Sequence, residues 1–453
     1  MNNSNLQKSL KKYFEIDFGD KRLRERLLMF VESRFKHPDK SILGSSSCRS
    51  QAKAFYRLIN NDKLDITKII NSVRAETLSR MCGKVLLIQD TTEINLHGHK
   101  KTEDIGYCSN ITRGIRVHSC IAISPEGVPF GLLSQSYETR EEAKSPLSKH
   151  EKSLLPIEDK ESFRWIETLI NSTVEIPKGV HFITICDREG DIYEFYSEAI
   201  KRGEDFIIRA VQNRRTDENE KILTKLREAK PIDKVMIHIP RNSRKNIPAR
   251  EVEMEIAYAQ VNIIKPTKIK DKQIAPQLPI NLVRITEIKP QKNEEKIEWI
   301  LATNLPLSDN SSVMEIVEHY TQRWKIERFH YVLKSGLGAE KIQQRSYETI
   351  KPVLLIYSVI ALYILSITYM SRVLPDLPCT IFFDDDEWQY LYRIIHKTKK
   401  APKTPYSISE AVAYLGELGS YKRAPSDGPP GVKSIWNGLL KLYIIMDALV
   451  GQG

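Results

Sequence analysis

The sequence predicts an α/β protein with a β-rich insertion in its middle and helical segments at both ends. Two continuous apolar runs, residues 84–92 and 180–187, are typical of buried central strands. Several runs between residues 205 and 303 alternate apolar and polar residues, which is the period of half-buried strands. Before residue 69 and after about residue 373, apolar residues instead recur at helical spacing.

The composition is that of a globular protein with a basic balance. The chain has 453 residues, of which 41% are hydrophobic, enough to form a substantial core. Its net charge of +11 favours a polyanionic partner, with nucleic acid ahead of an anionic membrane. The six cysteines are scattered and include no C-x-x-C pair, which argues against a zinc ribbon or a disulfide framework. Because the N-terminus also lacks an apolar leader, we expect a cytoplasmic protein.

Residues 1–68 predict a small helical domain. Asp20 is a suitable N-cap for a helix that begins immediately after it, along which Leu23 and Leu27 follow at helical spacing. A second helix is expected at residues 51–59, after a polar stretch with turn-like composition. Helical units that carry arginines are common DNA-binding modules, but they are equally common as plain helical packing.

Both continuous apolar runs end in an aspartate, Asp90 in the first and Asp187 in the second. Side chains at the tips of buried strands are favoured site positions. Hard divalent ions prefer carboxylate oxygens, and two ions about 4 Å apart can hold the attacking and leaving oxygens of a phosphoryl displacement. Two such aspartates, joined by a glutamate from a helix, therefore predict the skeleton of a two-metal site.

The stretch from residue 320 to residue 334 predicts one helix with a charged face. At about 100° per residue, an arc of roughly 60° holds Tyr320, Arg323, Glu327 and Lys334. The opposite stripe, expected to be buried, consists of Ile326, Phe329 and Leu333. A carboxylate flanked by cations suits a polyanion and its metal ions. The alternative is a solvated helix with ordinary ion pairs along its surface.

Residues 353–370 form an uncharged run of eighteen residues that approaches the length of a membrane span. The run contains two serines, a threonine and three tyrosines, and it follows the charged stretch after a short connection. We therefore expect a helix buried in the protein core, with no membrane as a partner.

The C-terminal part, residues 373–453, predicts a helical domain. Helices are expected at residues 408–418 and 434–450, and the second is apolar enough to require a partner helix, which suggests self-association. The acidic run at residues 384–387 could bind a cation, but its composition favours a solvated loop or the start of a helix.

The charged stretch and the two aspartate segments together resemble the motifs of a known family. The charged stretch is similar to the tyrosine–arginine–glutamate–lysine motif of bacterial DDE transposases of the insertion-sequence-four group, with two, three and six residues between its four members. Asp90 in Gln-Asp-Thr-Thr and Asp187 in Cys-Asp-Arg-Glu-Gly-Asp-Ile match the two aspartate motifs of that group in order and context. Weaker similarities extend over the whole chain, including Gly-Asp-Lys-Arg at residues 19–22, the helix that ends near Arg57, and the C-terminal helix with Trp436.

The resemblance implies a ribonuclease-H-like catalytic domain at residues 69–372, with the β-rich insertion at about 203–305. Residues 1–68 would then bind the transposon end, and residues 373–453 would form a homodimer. It also implies that two Mg²⁺ ions, with Mn²⁺ as a substitute, bind Asp90, Asp187 and Glu327.

The resemblance further implies which residues contact double-stranded DNA. Those near the scissile phosphate would be Tyr320, Arg323, Lys334 and Arg209. In the N-terminal domain they would be Arg26, Lys36 and Arg57. Trp299 matches by position a tryptophan that holds a flipped base near a DNA hairpin, and the alternative is a core tryptophan on a strand.

The implied activity is cut-and-paste transposition through a hairpinned DNA end, followed by joining to target DNA. One alternative is a ribonuclease-H-like nuclease that cuts without strand transfer, since its core chemistry would be the same. Another is a DNA-binding relic without catalysis, although all three carboxylates are present. A two-carboxylate glycoside hydrolase would leave the tyrosine, arginine and lysine of the charged stretch unexplained.

Overall fold

The computed structural model describes residues 8–38, 40–141, 147–239, 250–290, 296–422 and 428–450. The helices are α1 Lys8–Lys11, α2 Lys21–Lys36, α3 Arg49–Ile59, α4 Ile66–Ser79, α5 Lys149–Leu154, α6 Phe163–Ser172, α7 Tyr193–Arg202, α8 Ile222–Glu228, α9 Asn310–Thr321, α10 Trp324–Tyr331, α11 Tyr347–Val373, α12 Asp385–His396, α13 Ile408–Leu418 and α14 Val432–Val450. The strands are β1 Gly83–Asn95, β2 Gly114–Ile123, β3 Pro129–Glu138, β4 Val180–Cys186, β5 Asp205–Arg209, β6 Asp233–Ile239, β7 Arg250–Ile264, β8 Gln277–Glu287 and β9 Glu298–Thr303.

The nine strands form one sheet in the order β3-β2-β1-β4-β5-β9-β8-β7-β6. In its first half, β1 pairs antiparallel with β2 and parallel with β4, and β4 pairs parallel with β5. This arrangement is the ribonuclease-H-like core that the resemblance implies. Both apolar runs lie in its centre, as β1 and β4, because their side chains are covered on both faces.

The β-rich insertion is confirmed as strands and continues the central sheet. β9 pairs antiparallel with β5, and β8, β7 and β6 follow as an antiparallel meander. The period-2 pattern predicts these strands correctly, but it carries no information about which edge they join. The insertion thus lies beside the strand that neighbours β4.

Helix α11 is the core helix predicted from the uncharged run. It is long and apolar enough to cross a membrane by length and composition, but 89% of its most apolar window is buried inside the protein. Its polar side chains find partners within the core. The Ser366 hydroxyl donates to the Pro129 carbonyl oxygen at 3.0 Å, and the Gln135 amide donates to the Ser358 hydroxyl at 2.9 Å. These bonds fix α11 against β3.

The N-terminal helices form as predicted. The Asp20 carboxylate caps α2 by accepting a hydrogen bond from the Arg22 backbone N–H at 2.9 Å. Phe30 of α2 packs edge-on against Phe55 of α3, with 5.3 Å between the ring centroids. The apolar faces of these helices belong to the main core.

The C-terminal helices are also confirmed. The acidic run begins α12, where Asp384 and Glu387 form a capping box, so the helix-start interpretation is correct. One side of α14 is buried within the chain and packs against α13 and α11. Its Ile444 and Leu449 stay exposed, at 53% and 47% of their surface. Part of the helix packing that the apolar sequence of α14 requires is therefore supplied by α11 and α13 of the same chain.

Candidate active site

The parallel pairing of β1 and β4 places Asp90 beside Asp187. Their register runs from Gly83 opposite Val180 to Ile88 opposite Ile185, so both aspartates lie two residues beyond the last pair. The expectation that Asp90 ends its strand is wrong, because β1 continues to Asn95. It does so by keeping its ladder with β2, in which Asp90 lies opposite Ser119. Asp187, in contrast, directly follows β4.

The surroundings of Asp90 disfavour its charged form. Burial and the neighbouring carboxylate of Asp187 raise the pKa of Asp90 to about 7, although Arg323 acts in the opposite direction. The Thr91 backbone N–H donates to Asp90 Oδ1 at 2.8 Å, and the Glu189 backbone N–H donates to Asp187 Oδ1 at 2.7 Å. Each aspartate is thus held by the residue or residues that follow it.

Glu327 reaches this pair through Arg323. It lies in the first turn of α10, where its Oε1 accepts a hydrogen bond from Arg323 Nη2 at 2.7 Å. Arg323 Nη1 lies 4.0 Å from Asp90 Oδ2. The guanidinium therefore stands between two of the three carboxylates, and Glu327 also acts to raise the pKa of Asp90.

The charged stretch is two helices, so the expected single helix is wrong. Helix α9 ends at Thr321, and the backbone tightens around the junction. Arg323 N–H donates to the Tyr320 carbonyl oxygen at 3.0 Å, a three-residue bond in place of the four-residue bond of an α-helix. The predicted inner stripe of Ile326, Phe329 and Leu333 is nevertheless fully buried. Periodicity predicts the stripe, but the break depends on local hydrogen bonding.

The other two members of the charged stretch, Lys334 and Tyr320, have different surroundings. Lys334 lies in a π-helical turn, Val332–Gly336, and donates to the Glu93 carbonyl oxygen of β1 at 2.8 Å. Tyr320 is buried, and desolvation raises the pKa of its hydroxyl to about 12. Of the described members of the charged stretch, Arg323 is the one that donates a hydrogen bond to Glu327.

Trp299 and Arg209 lie on the neighbouring strands. Trp299 in β9 is only 6% exposed and packs edge-on against Tyr320, with 5.9 Å between the ring centroids. In this conformation it is the core tryptophan of the alternative interpretation. Arg209 at the end of β5 is partly exposed and lies near Tyr320, where its charge opposes the rise in the pKa of that hydroxyl.

The three basic residues predicted to bind DNA in the N-terminal domain lie on α2 and α3. Arg57 on α3 is exposed, and Arg26 on α2 is half-buried. Lys36 at the end of α2 pairs with Glu32 at 3.0 Å and lies 3.9 Å from Asp447 of α14. Lys36 thus lies where the N-terminal domain meets the C-terminal helix.

His330 is a site residue that the sequence reasoning missed. Its Nδ1 lies 3.9 Å from Asp90 Oδ2, and burial, together with Lys334 and Arg323, lowers its pKa to about 3. The imidazole is therefore neutral and can donate or accept a hydrogen bond. The available signal is its spacing, because a residue three positions after Glu327 lies on the same side of a helix.

The donor set fits a divalent cation. Among the residues that the structure describes, no three His, Cys, Asp or Glu side chains converge as ligands, and Glu327 is turned onto Arg323. However, Asp90, Asp187 and Glu327 supply only carboxylate oxygens, which hard ions prefer. Burial and then the Asp187 charge raise the pKa of Asp90, and Arg323 only partly offsets them, so a bound cation would favour the charged carboxylate.

Comparison with known proteins finds three transposase domains in sequence order. The family described as transposase DNA-binding matches residues 10–64, the transposase DDE domain matches residues 165–364, and the transposase Tn5 dimerisation domain matches residues 359–450. The DDE match contains Asp187 and Glu327, whereas Asp90 precedes it.

Among solved structures, the chain is similar to the piggyBac transposase in a synaptic complex with hairpin DNA. The identity is 9% over 82% of this chain and 77% of that chain, with a TM-score of 0.40. The DDE domain is that of DNA endonucleases and strand transferases, a family that generally uses divalent metal ions. With its DNA-binding, DDE and dimerisation domains in this order, the chain belongs to the Tn5-like DDE transposases.

Proposed function

We propose that this transposase binds the two ends of its element, frees them through a hairpin intermediate and joins their 3′-OH groups to target DNA. The observation that carries the proposal is the register of β1 and β4, which sets Asp90 and Asp187 side by side, together with the approach of Glu327 through Arg323. Each step is an in-line displacement at a phosphodiester, so one set of carboxylates can serve all of them.

In the first step, water attacks one strand and frees a 3′-OH. That hydroxyl attacks a phosphodiester of the opposite strand, which expels the 3′-oxygen of the flanking DNA and closes a hairpin. A second water opens the hairpin, and the freed 3′-OH attacks a phosphodiester of target DNA and expels a target 3′-oxygen. Asp90, Asp187 and Glu327 would hold two Mg²⁺ ions, for which Mn²⁺ can substitute. When bound there, such ions would lower the pKa of water and neutralise charge on the phosphate.

The cations around the carboxylates would hold the phosphates. Arg323 has a planar guanidinium that can grip two oxygens at once, so it can exchange Glu327 for the scissile phosphate when ions arrive. Lys334, which lies next to Glu93 of β1, and Arg209, at the end of β5, would hold the DNA backbone on either side of the scissile phosphate. Tyr320 keeps its proton at neutral pH and can donate it in a hydrogen bond.

Hairpin formation requires that a base leave the helical stack, which costs a few kcal/mol. Stacking on an aromatic ring offsets part of this, and Trp299 is the candidate. Because the Trp299 ring is buried and Tyr320 packs edge-on against it, we infer that the tyrosine must move before a base can stack there.

The terminal domains would build the complex in which both ends are cut. Arg26, Lys36 and Arg57 would contact the transposon end as double-stranded DNA. The exposed side of α14, with Ile444 and Leu449, offers an apolar surface to a second copy. We place this homodimer in the cytoplasm, bound to DNA and without a membrane partner.

The decisive experiment is incubation of the protein with Mg²⁺ and DNA that carries the terminal repeats of its element. Gels should resolve nicked, hairpinned and joined products, and all three are expected. Nicks without joined products would instead indicate a ribonuclease-H-like nuclease without strand transfer. Binding without nicks would indicate a catalytically inactive relic.

A further inference from the structure

We propose that Arg164 is a positioning residue that fixes the spacing between the two segments carrying Asp90 and Asp187. The inference rests on the proposed function, since it concerns how the carboxylates are presented to a divalent ion. Arg164 is the second residue of α6, and its guanidinium, 9% exposed, makes hydrogen bonds in three directions. It contacts neither aspartate directly.

One hydrogen bond leads to the segment of Asp90. Arg164 Nε donates to Thr91 Oγ1 at 3.0 Å, and the Thr91 backbone N–H donates to Asp90 Oδ1 at 2.8 Å. Thr91 is therefore the one residue between the Arg164 guanidinium and the Asp90 carboxylate, and it hydrogen-bonds to both.

A second hydrogen bond leads to the segment of Asp187. Arg164 Nη2 donates to Glu189 Oε2 at 2.8 Å, and the Glu189 backbone N–H donates to Asp187 Oδ1 at 2.7 Å. The two routes have the same form: a side-chain acceptor faces Arg164, and the backbone N–H of the same residue faces the aspartate.

The third bond anchors the guanidinium itself. Arg164 Nη1 donates to the Glu161 carbonyl oxygen at 2.6 Å, which fixes the side chain at the start of α6. β1 and β4 are no longer paired at the level of the aspartates, because their ladder ends at Ile88 and Ile185. Arg164 therefore supplies a link between the two segments at the point where the sheet stops supplying one.

The hydrogen bonds around the Thr91 hydroxyl can be assigned in only one donor-to-acceptor direction. Arg164 Nε can only donate, so Thr91 Oγ1 accepts and its own proton faces His118 Nδ1 at 2.8 Å. The imidazole proton then lies on Nε2, which faces Gln89 Oε1 at 3.3 Å. His118 is fully buried, and this polarity holds the threonine hydroxyl in one rotamer.

Lysine cannot replace arginine in this arrangement. The three acceptors face separate nitrogens of a planar fork, whereas lysine offers a single ammonium nitrogen that cannot reproduce all three hydrogen bonds in this geometry. Arg164→Lys keeps the charge and removes the link. Outer residues that orient metal ligands typically change metal affinity by about 10- to 100-fold.

Arg250→Lys is the matched control. Arg250 donates to Glu287 Oε1 at 2.7 Å in the insertion, and its side chain is 13% exposed, close to the 9% of Arg164. Both variants should lower the melting temperature by similar amounts. Only Arg164→Lys should weaken the binding of Mn²⁺ alone, by about 10-fold or more, measured by calorimetry on the DNA-free protein.

Two further variants keep the test sharp if Arg164→Lys folds poorly. Thr91→Val and Glu189→Ala each remove one route, and each should weaken Mn²⁺ binding by a smaller factor. If Mn²⁺ affinity is unchanged in the well-folded members of this set, Arg164 is only a structural residue and the inference is wrong. If the unaltered protein neither binds Mn²⁺ nor cuts DNA, the proposed function itself fails, and the inference fails with it.

Discussion

The two halves of the nine-stranded sheet each bury a carboxylate but surround it differently. In the insertion, Glu287 at the end of β8 accepts from Arg250 Nη1 at 2.7 Å and from the Ile297 backbone N–H at 3.1 Å. In the core, Asp90 has its nearest guanidinium nitrogen, on Arg323, at 4.0 Å. One carboxylate is fully paired, while the other is only approached by its cation.

The pKa values of the two groups move in opposite directions as a result. Burial alone would raise the pKa of Glu287, but the hydrogen bonds from Arg250 and the backbone outweigh it and lower that pKa. Burial and Asp187 raise the pKa of Asp90 to about 7. The comparison indicates that the insertion pairs its carboxylate for stability, whereas the core leaves the charged form of Asp90 incompletely compensated, so that a bound cation would stabilise it.

The largest expected effect is on the catalytic side of this comparison. Glu327→Gln keeps the shape of the side chain but removes its charge, so Mg²⁺-dependent cleavage of end DNA should fall by about 1,000-fold or more, or about 4 kcal/mol. Gel assays of nicking measure it. Glu348→Gln, an exposed position at the start of α11, should cleave normally. Retained cleavage in Glu327→Gln would disprove the metal assignment.

On the structural side, Arg250→Ala should leave the Glu287 charge buried and unpaired. Removing one partner of a buried ion pair destabilises by about 3 kcal/mol or more, which urea unfolding would detect. Cleavage per folded molecule should stay unchanged. A loss below about 1 kcal/mol would mean that the pair contributes no more than a surface ion pair.

Arg209 tests the boundary between the halves, since it ends β5 next to β9. Arg209→Ala should reduce cleavage by about 10-fold through the loss of one phosphate contact, or about 1.4 kcal/mol. Its free energy of unfolding should stay within about 0.5 kcal/mol of the original. Arg209→Lys should recover most of the activity, and failure to do so would argue against a simple charge contact.

The last expected effect concerns pH and the metal-free protein. Because the folded pKa of Asp90 lies above its ordinary value of 3.8, its contribution to stability is complete below about pH 4 and is lost as the pH rises towards 7. Asp90→Asn should therefore raise the free energy of unfolding by about 1 to 4 kcal/mol near pH 8 in EDTA and change little near pH 4.

Glu287→Gln is the counterpart with the opposite sign. Its lowered folded pKa gives a contribution that is present above the ordinary value of 4.5 and is lost as the pH falls below it. The variant should therefore be less stable near neutral pH, and the difference should shrink in acid. The same pH trend in both variants would contradict the comparison.

Sequence patterns predict those features that depend on residues close together along the chain. The strands that carry Asp90 and Asp187, the buried stripe of α10 and the cap at Asp20 follow from apolar periodicity and from known preferences at helix ends. The resemblance to the family motifs then predicts that Asp90, Asp187 and Glu327 form one site, which apolar periodicity alone does not predict.

Features that depend on contacts between distant segments are not predictable in this way. The break between Thr321 and Trp324, the packing of Trp299 against Tyr320 and the joining of β9 to β5 each depend on neighbours in the folded chain. Arg164 is the clearest case. It lies in an ordinary amphipathic helix, and its partners are 73 and 25 residues away along the chain.

Helix α11 has a consequence for how the protein unfolds. Its Tyr357 hydroxyl donates to the Pro38 carbonyl oxygen at 3.3 Å, and its Tyr363 hydroxyl donates to the Phe382 carbonyl oxygen at 2.7 Å. With Ser366 bonded to β3, one helix is shared by the DNA-binding, catalytic and dimerisation segments. These segments should therefore melt in one cooperative transition, and a fragment that ends near residue 373 would expose an apolar helix to water and aggregate.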